Sequence, residues 1–368
     1  MGIFRTFLAI CVILEHTHPA WAMKFLSGQV AVKSFFVISG FYMSLILDSK
    51  YVGKNSYKLF ITNRFLRIYP LYWAVLILTI FACVITGLLT QHWLQLSPYI
   101  ALRDHMGITA FVVSAVSNMM IFGQDIVMFL GLNIKTGGVF FTENFRNAAH
   151  PFYILLFIPQ AWTLALELMF YLIAPFILNK NIGLVLFLII ASLLLRYHIY
   201  EGLGWTWDPW TFRFFPTELL FFLLGNLSYK IYGRIKNKKS CWGISKFVTA
   251  AFFLIVLIYP NVHLPLRQEF AFVPYNCLVF LSLPFIFNLT KNSKIDNRIG
   301  ELSYPIYLIH YLVIWLTWLL FTSGSTDLKI FLTIVLSALA AFALLTLIVD
   351  PVDRFRQSRW ARQVKGEK

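Results

Sequence analysis

An all-α, polytopic transmembrane helix bundle is the fold this sequence predicts, and three observations predict it. Of 368 residues, 59% are hydrophobic and 13% charged, against about 25% charged in soluble domains. Apolar runs of about 17 to 23 residues recur from end to end, each long enough to cross a bilayer. None alternates in polarity over about 10 residues as a barrel strand does, and in lipid only helices or closed barrels satisfy their own backbone. No stretch is long and polar enough for a separate soluble domain.

The runs are 4–20, 29–47, 68–90, 108–131, 161–178, 182–200, 213–232, 245–262, 269–289, 301–321 and 328–349. The first has Arg5 ahead of a short apolar core and Ala20-Trp21-Ala22 behind it, the outline of a cleavable signal peptide. Glu15 and His16 interrupt that core, and the next span follows within a few residues, so a retained first helix is the better reading.

Charge sets the topology of the rest. In a polytopic chain a net charge of +15 points first to positive-inside loops rather than to nucleic acid. The basic clusters are Lys50 to Arg67, Lys230 to Lys246, Lys291 to Arg298, and the tail from Arg354 to Lys368. Two spans separate each from the next, except in the middle section, which holds five runs. If 108–131 stops short of crossing, 22 of the 31 Lys and Arg fall inside; if it crosses, 12 do. That run is also the most interrupted, by Ser114, Ser117, Asn118, Gly123, Gln124 and Asp125. The expectation is therefore about ten spans plus a re-entrant or interfacial segment on the outer side, with both termini cytoplasmic. Residues 1–350 form the transmembrane domain and 351–368 a basic cytoplasmic tail.

Several chemistries are not supported. Cys11, Cys83, Cys241 and Cys277 are scattered, without CxxC or zinc spacing. His16 and His18 stand as HxH with no evident third ligand, so no metal site and no tightly bound cofactor is expected. There is no P-loop, GxGxxG, GxSxG or HExxH.

Four segments concentrate the remaining polar residues. In FRTFLAICVILEH, residues 4–16, Arg5 and His16 are eleven residues apart, which in a helix is about 16 Å of rise and about 20° of rotation. They share a face, with a cation at its inner mouth and a titratable base further in. Ionisable residues inside spans are functional candidates, though each also serves as an interfacial anchor. In NSYKLFITNRFLRIYPLYW, residues 55–73, Tyr57, Phe60, Ile61, Phe65 and Ile68 form one apolar stripe that includes Arg64, with Arg67 beside it. Arg64 is expected to point into the protein, and the pair offers guanidinium forks for a phosphorylated ligand or for lipid phosphate. In AWTLALELMFYLIAP, residues 161–175, Glu167 lies some five residues below the outer end, close to the depth of His16. The two are expected to meet. In IGELSYPIYLIHYLV, residues 299–313, Tyr304, Tyr307 and His310 are a weak signal alone, since such residues often just bridge helices.

Taken in order, these segments resemble the acyltransferase-3 family of bacterial integral-membrane acyltransferases. Arg5 and His16 match its arginine, ten residues, then histidine. GQVAVKSFFVISGF, residues 28–41, matches its glycine-rich stretch, and Arg64, Arg67, Ile68 and Pro70 match Arg-x-x-Arg-I-x-P. Trp162, Leu164, Glu167, Phe170 and Tyr171 match W-S-L-x-x-E-x-x-F-Y, and Ser303, Tyr304, Ile306, Tyr307, Leu308 and His310 match the late motif. The match spans nearly the whole chain. Thr163 replaces the usual serine, and Lys33 stands where an apolar or acidic residue is expected. The chain resembles the stand-alone type, without an attached extracytoplasmic hydrolase-like domain.

The resemblance implies O-acyl transfer in the bacterial cytoplasmic (inner) membrane. A short acyl group, commonly acetyl and sometimes succinyl, would move from acyl-CoA to a sugar hydroxyl of an exported or lipid-linked glycan. His16 would be the general base and Glu167 the acid that orients it. Arg5, Arg64 and Arg67 would hold the phosphates of the donor, with Trp162, Tyr304 and His310 in support. Partners would be acyl-CoA, the glycan acceptor and membrane lipid, and no nucleic acid. Direct transfer and an acyl-histidine relay both remain open at this point. The readings from other classes are a transporter, which would share intramembrane charges and broken spans, and a glycan-export partner without acyl-transfer activity.

Overall fold

The computed structural model describes residues 1–19, 24–53, 56–179, 181–236, 238, 241–262, 267, 270 and 272–366. Ala20-Trp21-Ala22 and Lys180 lie outside the described residues, as do Lys54, Lys239 and Lys368 of the basic clusters.

Among the described residues, ten long helices carry the chain from one end of a bundle to the other. They are α1 (Gly2–Thr17), α2 (Gly28–Ser49) and α3 (Ser56–Thr90), then α7 (Trp162–Ile177), α8 (Ile182–Tyr197), α9 (Phe215–Ile235), α10 (Cys241–Ile258), α11 (Val273–Thr290), α12 (Lys294–Leu320) and α13 (Thr326–Leu344). Eight of these, counted with the short turns that extend them, are long and apolar enough to cross a membrane. The 16-residue α1 and the more polar α9 run among them.

Contacts between loops fix which termini share an end. At one end Asp296 accepts from the backbone N–H groups of Gly2 (2.8 Å) and Ile3 (3.0 Å), so α12 caps the first turn of α1. The Tyr229 hydroxyl donates to Asp48 and Lys291 to Tyr232 at the same end. At the other end the Lys24 N–H donates to Asn261, and Arg267 pairs with Glu201. The described residues of the basic clusters collect at the first end, together with Met1.

The segment between α3 and α7 does not cross. It holds α4 (Ser97–Leu102), α5 (Ile108–Met119), α6 (Gln124–Val127) and a hairpin of β1 (Leu130–Asn133) and β2 (Gly138–Phe141), paired antiparallel with Leu130 opposite Phe141. Twelve residues of α5 rise only about 18 Å. They start beside the hairpin, where the Gly107 N–H donates to Gly137, and end against the middle of α3. There Tyr72 donates to the Asn118 carbonyl (2.6 Å) and Trp73 to that of Met119 (2.9 Å). Gln124 donates to the Tyr72 hydroxyl and the Ser117 carbonyl, and the chain then returns to the hairpin. The polar residues that interrupt this run in the sequence satisfy the backbone of a re-entrant turn.

One seam holds α2 and α9 at backbone contact. A Cβ on Gly40 would lie 1.9 Å from the Phe222 carbonyl oxygen, and one on Gly225 would lie 2.1 Å from that of Val37. Absence of side chains at this crossing lets α2 and α9 approach, the small-residue packing of helices in lipid. Gly225→Val is therefore expected to push α2 off α9 and to lower the yield of folded protein, read as loss of the monodisperse peak on detergent size exclusion. A parent-like peak would show that the seam tolerates a side chain.

Lys33, a departure from the expected pattern, is 2% exposed. Its ammonium lies 3.9 Å from the centre of the Phe272 ring, with Phe212 and Phe221 also within 6 Å. Nearby, Arg196 of α8 bonds Glu218 of α9 at 2.5 Å, both fully buried. Arg196 also donates to the Thr217 carbonyl and the Tyr200 hydroxyl. Three buried charges thus join α2, α8 and α9.

The tail is helical. A π-helical turn, Leu345–Val349, joins α13 to α14 (Asp350–Gly366), which packs along the first turns of α3.

Candidate functional site

A cavity of about 410 Å³ lies between α1, α2, α3, α7 and α12. Its cations come from two helices. Arg5 is in the second turn of α1, and Arg64 and Arg67 are one turn apart on α3; all three line it. Arg64 is 6% exposed, with its Nε unpartnered among the described residues, and its guanidinium faces the rings of Phe60 (5.9 Å) and Tyr171 (5.8 Å). Arg67 is open to solvent. The expected single stripe on α3 divides: Phe60, Arg64 and Ile68 turn inward at spacing four, while Tyr57 and Phe65 are exposed. Phe65 follows Arg64 by one residue, about 100° around the helix, and stacks on Tyr69 instead.

Glu167 lines the same cavity and accepts from Ser39 of α2 (2.6 Å) and from the Tyr171 hydroxyl one turn along α7. Tyr304 of α12 also lines it and donates to the Ile68 carbonyl (2.8 Å), clasping α12 to α3. At its inner limit the hydroxyls of Thr163 and Tyr307 meet at 2.8 Å, and Tyr307 donates to the Gln160 carbonyl at 2.9 Å.

The histidines lie beyond that limit. His310, fully buried, has Nδ1 2.7 Å from the Tyr307 carbonyl. A carbonyl only accepts, so Nδ1 carries a proton; Nε2 has no partner among the described residues. His16 stacks on His310 with ring centres 5.6 Å apart and planes 18° apart. Its Nδ1 is 3.0 Å from the Tyr311 hydroxyl. Trp162, 4% exposed, sits under the Arg213 guanidinium at 4.3 Å, and Asp208 holds Arg213 through two bonds of 2.7 and 3.0 Å.

The sequence-derived residues thus fall into two groups. Arg5, Arg64, Arg67, Glu167 and Tyr304 share the cavity. His16 and His310 share a stack towards the opposite end, and Trp162 packs beside Arg213. The expected Glu167–His16 pair does not form: Glu167 is bound to Ser39 and Tyr171, and His16 to Tyr311 and His310. The expectation of equal depth fails because α1 stops at Thr17, one residue past His16, whereas Glu167 lies five residues into α7. Sequence reasoning passed over Ser39, Tyr311 and Tyr42, which lines the cavity with the Arg5 guanidinium 6.0 Å from its ring centre. Their signal was a hydroxyl in an apolar span, which has to find a partner inside the protein.

In charge terms the cavity is a cationic chamber. One of its carboxylates, Glu167, is already engaged by two hydroxyls; the other, Glu301, is paired with Arg298. It suits a multiply anionic ligand entering from the basic end, with the two imidazoles beyond its inner wall.

A family model described as an acyltransferase domain matches residues 1–350. A protein of Aquifex aeolicus (strain VF5), described as uncharacterized, is 26% identical over 208 residues, which cover 54% of this chain and 89% of the relative. No solved structure matches.

Proposed function

The chain belongs to this acyltransferase family, the acyltransferase-3 family, and from that premise we propose that it moves a short acyl group, acetyl in the first instance, from cytoplasmic acyl-CoA to a sugar hydroxyl of an exported or lipid-linked glycan. The observation that carries the reading is the chamber lined by Arg5, Arg64 and Arg67 at the basic end. The positive-inside rule makes that end cytoplasmic, the side on which a phosphorylated donor is held. The bacterial inner membrane is the compartment this arrangement suits.

In this reading the phosphates rest on the arginines and the acyl arm extends towards Thr163 and Tyr307. The acceptor approaches from the opposite end, where His16 lies. The hydroxyl oxygen attacks the thioester carbonyl, a C–O bond forms and the C–S bond breaks. His16 takes the hydroxyl proton and returns it to the leaving thiolate. With Nδ1–H donating to the Tyr311 oxygen, Nε2 carries the lone pair this needs. Glu167 supports the donor side instead, positioning Tyr171 beneath Arg64. Transfer is written as direct, since the proton balance closes without an acyl-enzyme.

Membranes containing the protein are expected to label glycan from radiolabelled acetyl-CoA, and membranes without it are not; uptake of substrate without acylation would support a transporter instead. Arg64→Ala and Arg67→Ala are expected to raise the donor KM about tenfold to a hundredfold, the loss of one charge-assisted contact of about 1.5–3 kcal/mol. Lysine should rescue only in part, because it lacks the fork. Parent-like donor dependence in both alanine variants would remove the arginines from the donor site.

A further inference from the structure

The tail reads from sequence as a basic extension, but α14 lies along the first turns of α3 in an antiparallel register. Arg359 donates to the Thr62 hydroxyl (3.4 Å), and Trp360 donates to the Lys50 carbonyl (3.1 Å). Stepping back along α14 from Arg359 reaches Arg356 and then Asp353. Stepping forward along α3 from Thr62 reaches Arg64 and then Arg67. The register therefore sets Arg356 level with Phe65, between Arg64 and Arg67 in height, and Asp353 level with Ile68, one residue beyond Arg67.

The side chains agree with this placement. Arg356 is 11% exposed and pairs with Asp353 one turn earlier. Its Nε is buried without a partner among the described residues, and so is that of Arg64. The charges of Arg64 and Arg67 act on Arg356, and that of Asp353 acts on Arg67. Arg356, paired with Asp353, is thus placed beside Arg64 and Arg67, two of the residues that line the chamber. Such a cluster repels itself unless an anion stands within it, and guanidinium forks match phosphate oxygens.

We infer that Arg356 is a further phosphate-binding arginine of the donor site, and that Asp353 is an internal counter-anion which the donor's phosphate displaces. This rests on the reading of the donor as acyl-CoA. It gives α14 a part in substrate binding, and it makes the two residues act in opposite directions: removing Arg356 weakens donor binding, whereas removing the charge of Asp353 strengthens it. An ordinary Asp–Arg clip along one helix has no such opposition.

The test is calorimetric titration of the full chain in detergent with CoA itself, which binds without turnover. Arg356→Ala is expected to weaken CoA binding about tenfold, Arg356→Lys less, and Asp353→Asn to tighten it several-fold, each with a parent-like elution profile. A parent that binds CoA while Arg356→Ala binds equally well, or Asp353→Asn binds less well, overturns the inference and leaves the donor reading standing. A parent that does not bind CoA overturns the donor reading and this inference with it. Arg356→Lys and Asp353→Asn preserve helix packing, so the opposed signs are readable even if the alanine variant folds poorly.

Discussion

Purified His16→Ala protein is expected to transfer acyl groups about 10²- to 10⁴-fold more slowly than the parent, the usual cost of losing a general base. The imidazole is half-buried, stacked on His310 and bonded to Tyr311, so its orientation is set before substrate arrives. The measurement is acyl transfer normalised to folded protein by its detergent elution profile. A histidine that only packed would instead lower the folded yield and keep the activity per folded molecule. Retention of more than about a tenth of the parent rate, a smaller loss than the general-base range allows, rules His16 out as the base. Glu167→Gln separates the two halves of the site: because Glu167 binds Ser39 and Tyr171, it should raise the donor KM and leave the pH dependence of turnover unchanged.

Glu218→Gln should be the most damaging change to the fold. It leaves Lys33 and Arg196 buried within the bundle without the carboxylate that bonds Arg196, and breaking a buried pair typically costs about 3–5 kcal/mol. Thermal unfolding in detergent would register this as a large drop in midpoint. Lys33→Met supplies the comparison. It leaves the 2.5 Å Arg196–Glu218 bond intact, fills much of the same volume and brings the cluster closer to neutrality, so it should cost far less. If Lys33→Met proves the more destabilising of the two, the cluster is held by the aromatic surroundings of Lys33 rather than by Glu218.

Much of this architecture was legible in the sequence because lipid imposes simple rules. Apolar length located the helices, and the distribution of Lys and Arg showed that 108–131 turns back. The inward turn of Arg64 was also readable, since a guanidinium on an otherwise apolar face has to find polar company. Lateral neighbours were not readable. α1 ends at Thr17, one residue past His16, whereas Glu167 lies five residues into α7 and bonds Ser39 of α2, while the outer end of α1 meets α12. Lys33 was visible as an anomaly, but its neighbours Arg196 and Glu218 arrive from helices far along the chain. Packing of α14 on α3 was hidden for the same reason. A basic tail carries no apolar stripe wide enough to announce a docking face, and its contacts are polar.

The hydroxyl pair of Thr163 and Tyr307 has a consequence for the cell's energy supply. A passage open to both faces would conduct ions down the membrane potential, worth about 2.3 kcal/mol per elementary charge per 100 mV. Here the chamber stops at two side chains that are 6% and 7% exposed, with the fully buried His310 directly behind them. A donor of the proposed class would keep its charged portion on one side of this plug, leaving only its uncharged acyl group to reach the other. Chemistry would be exchanged between compartments without a continuous column of water, and the bilayer would stay electrically tight through each turnover.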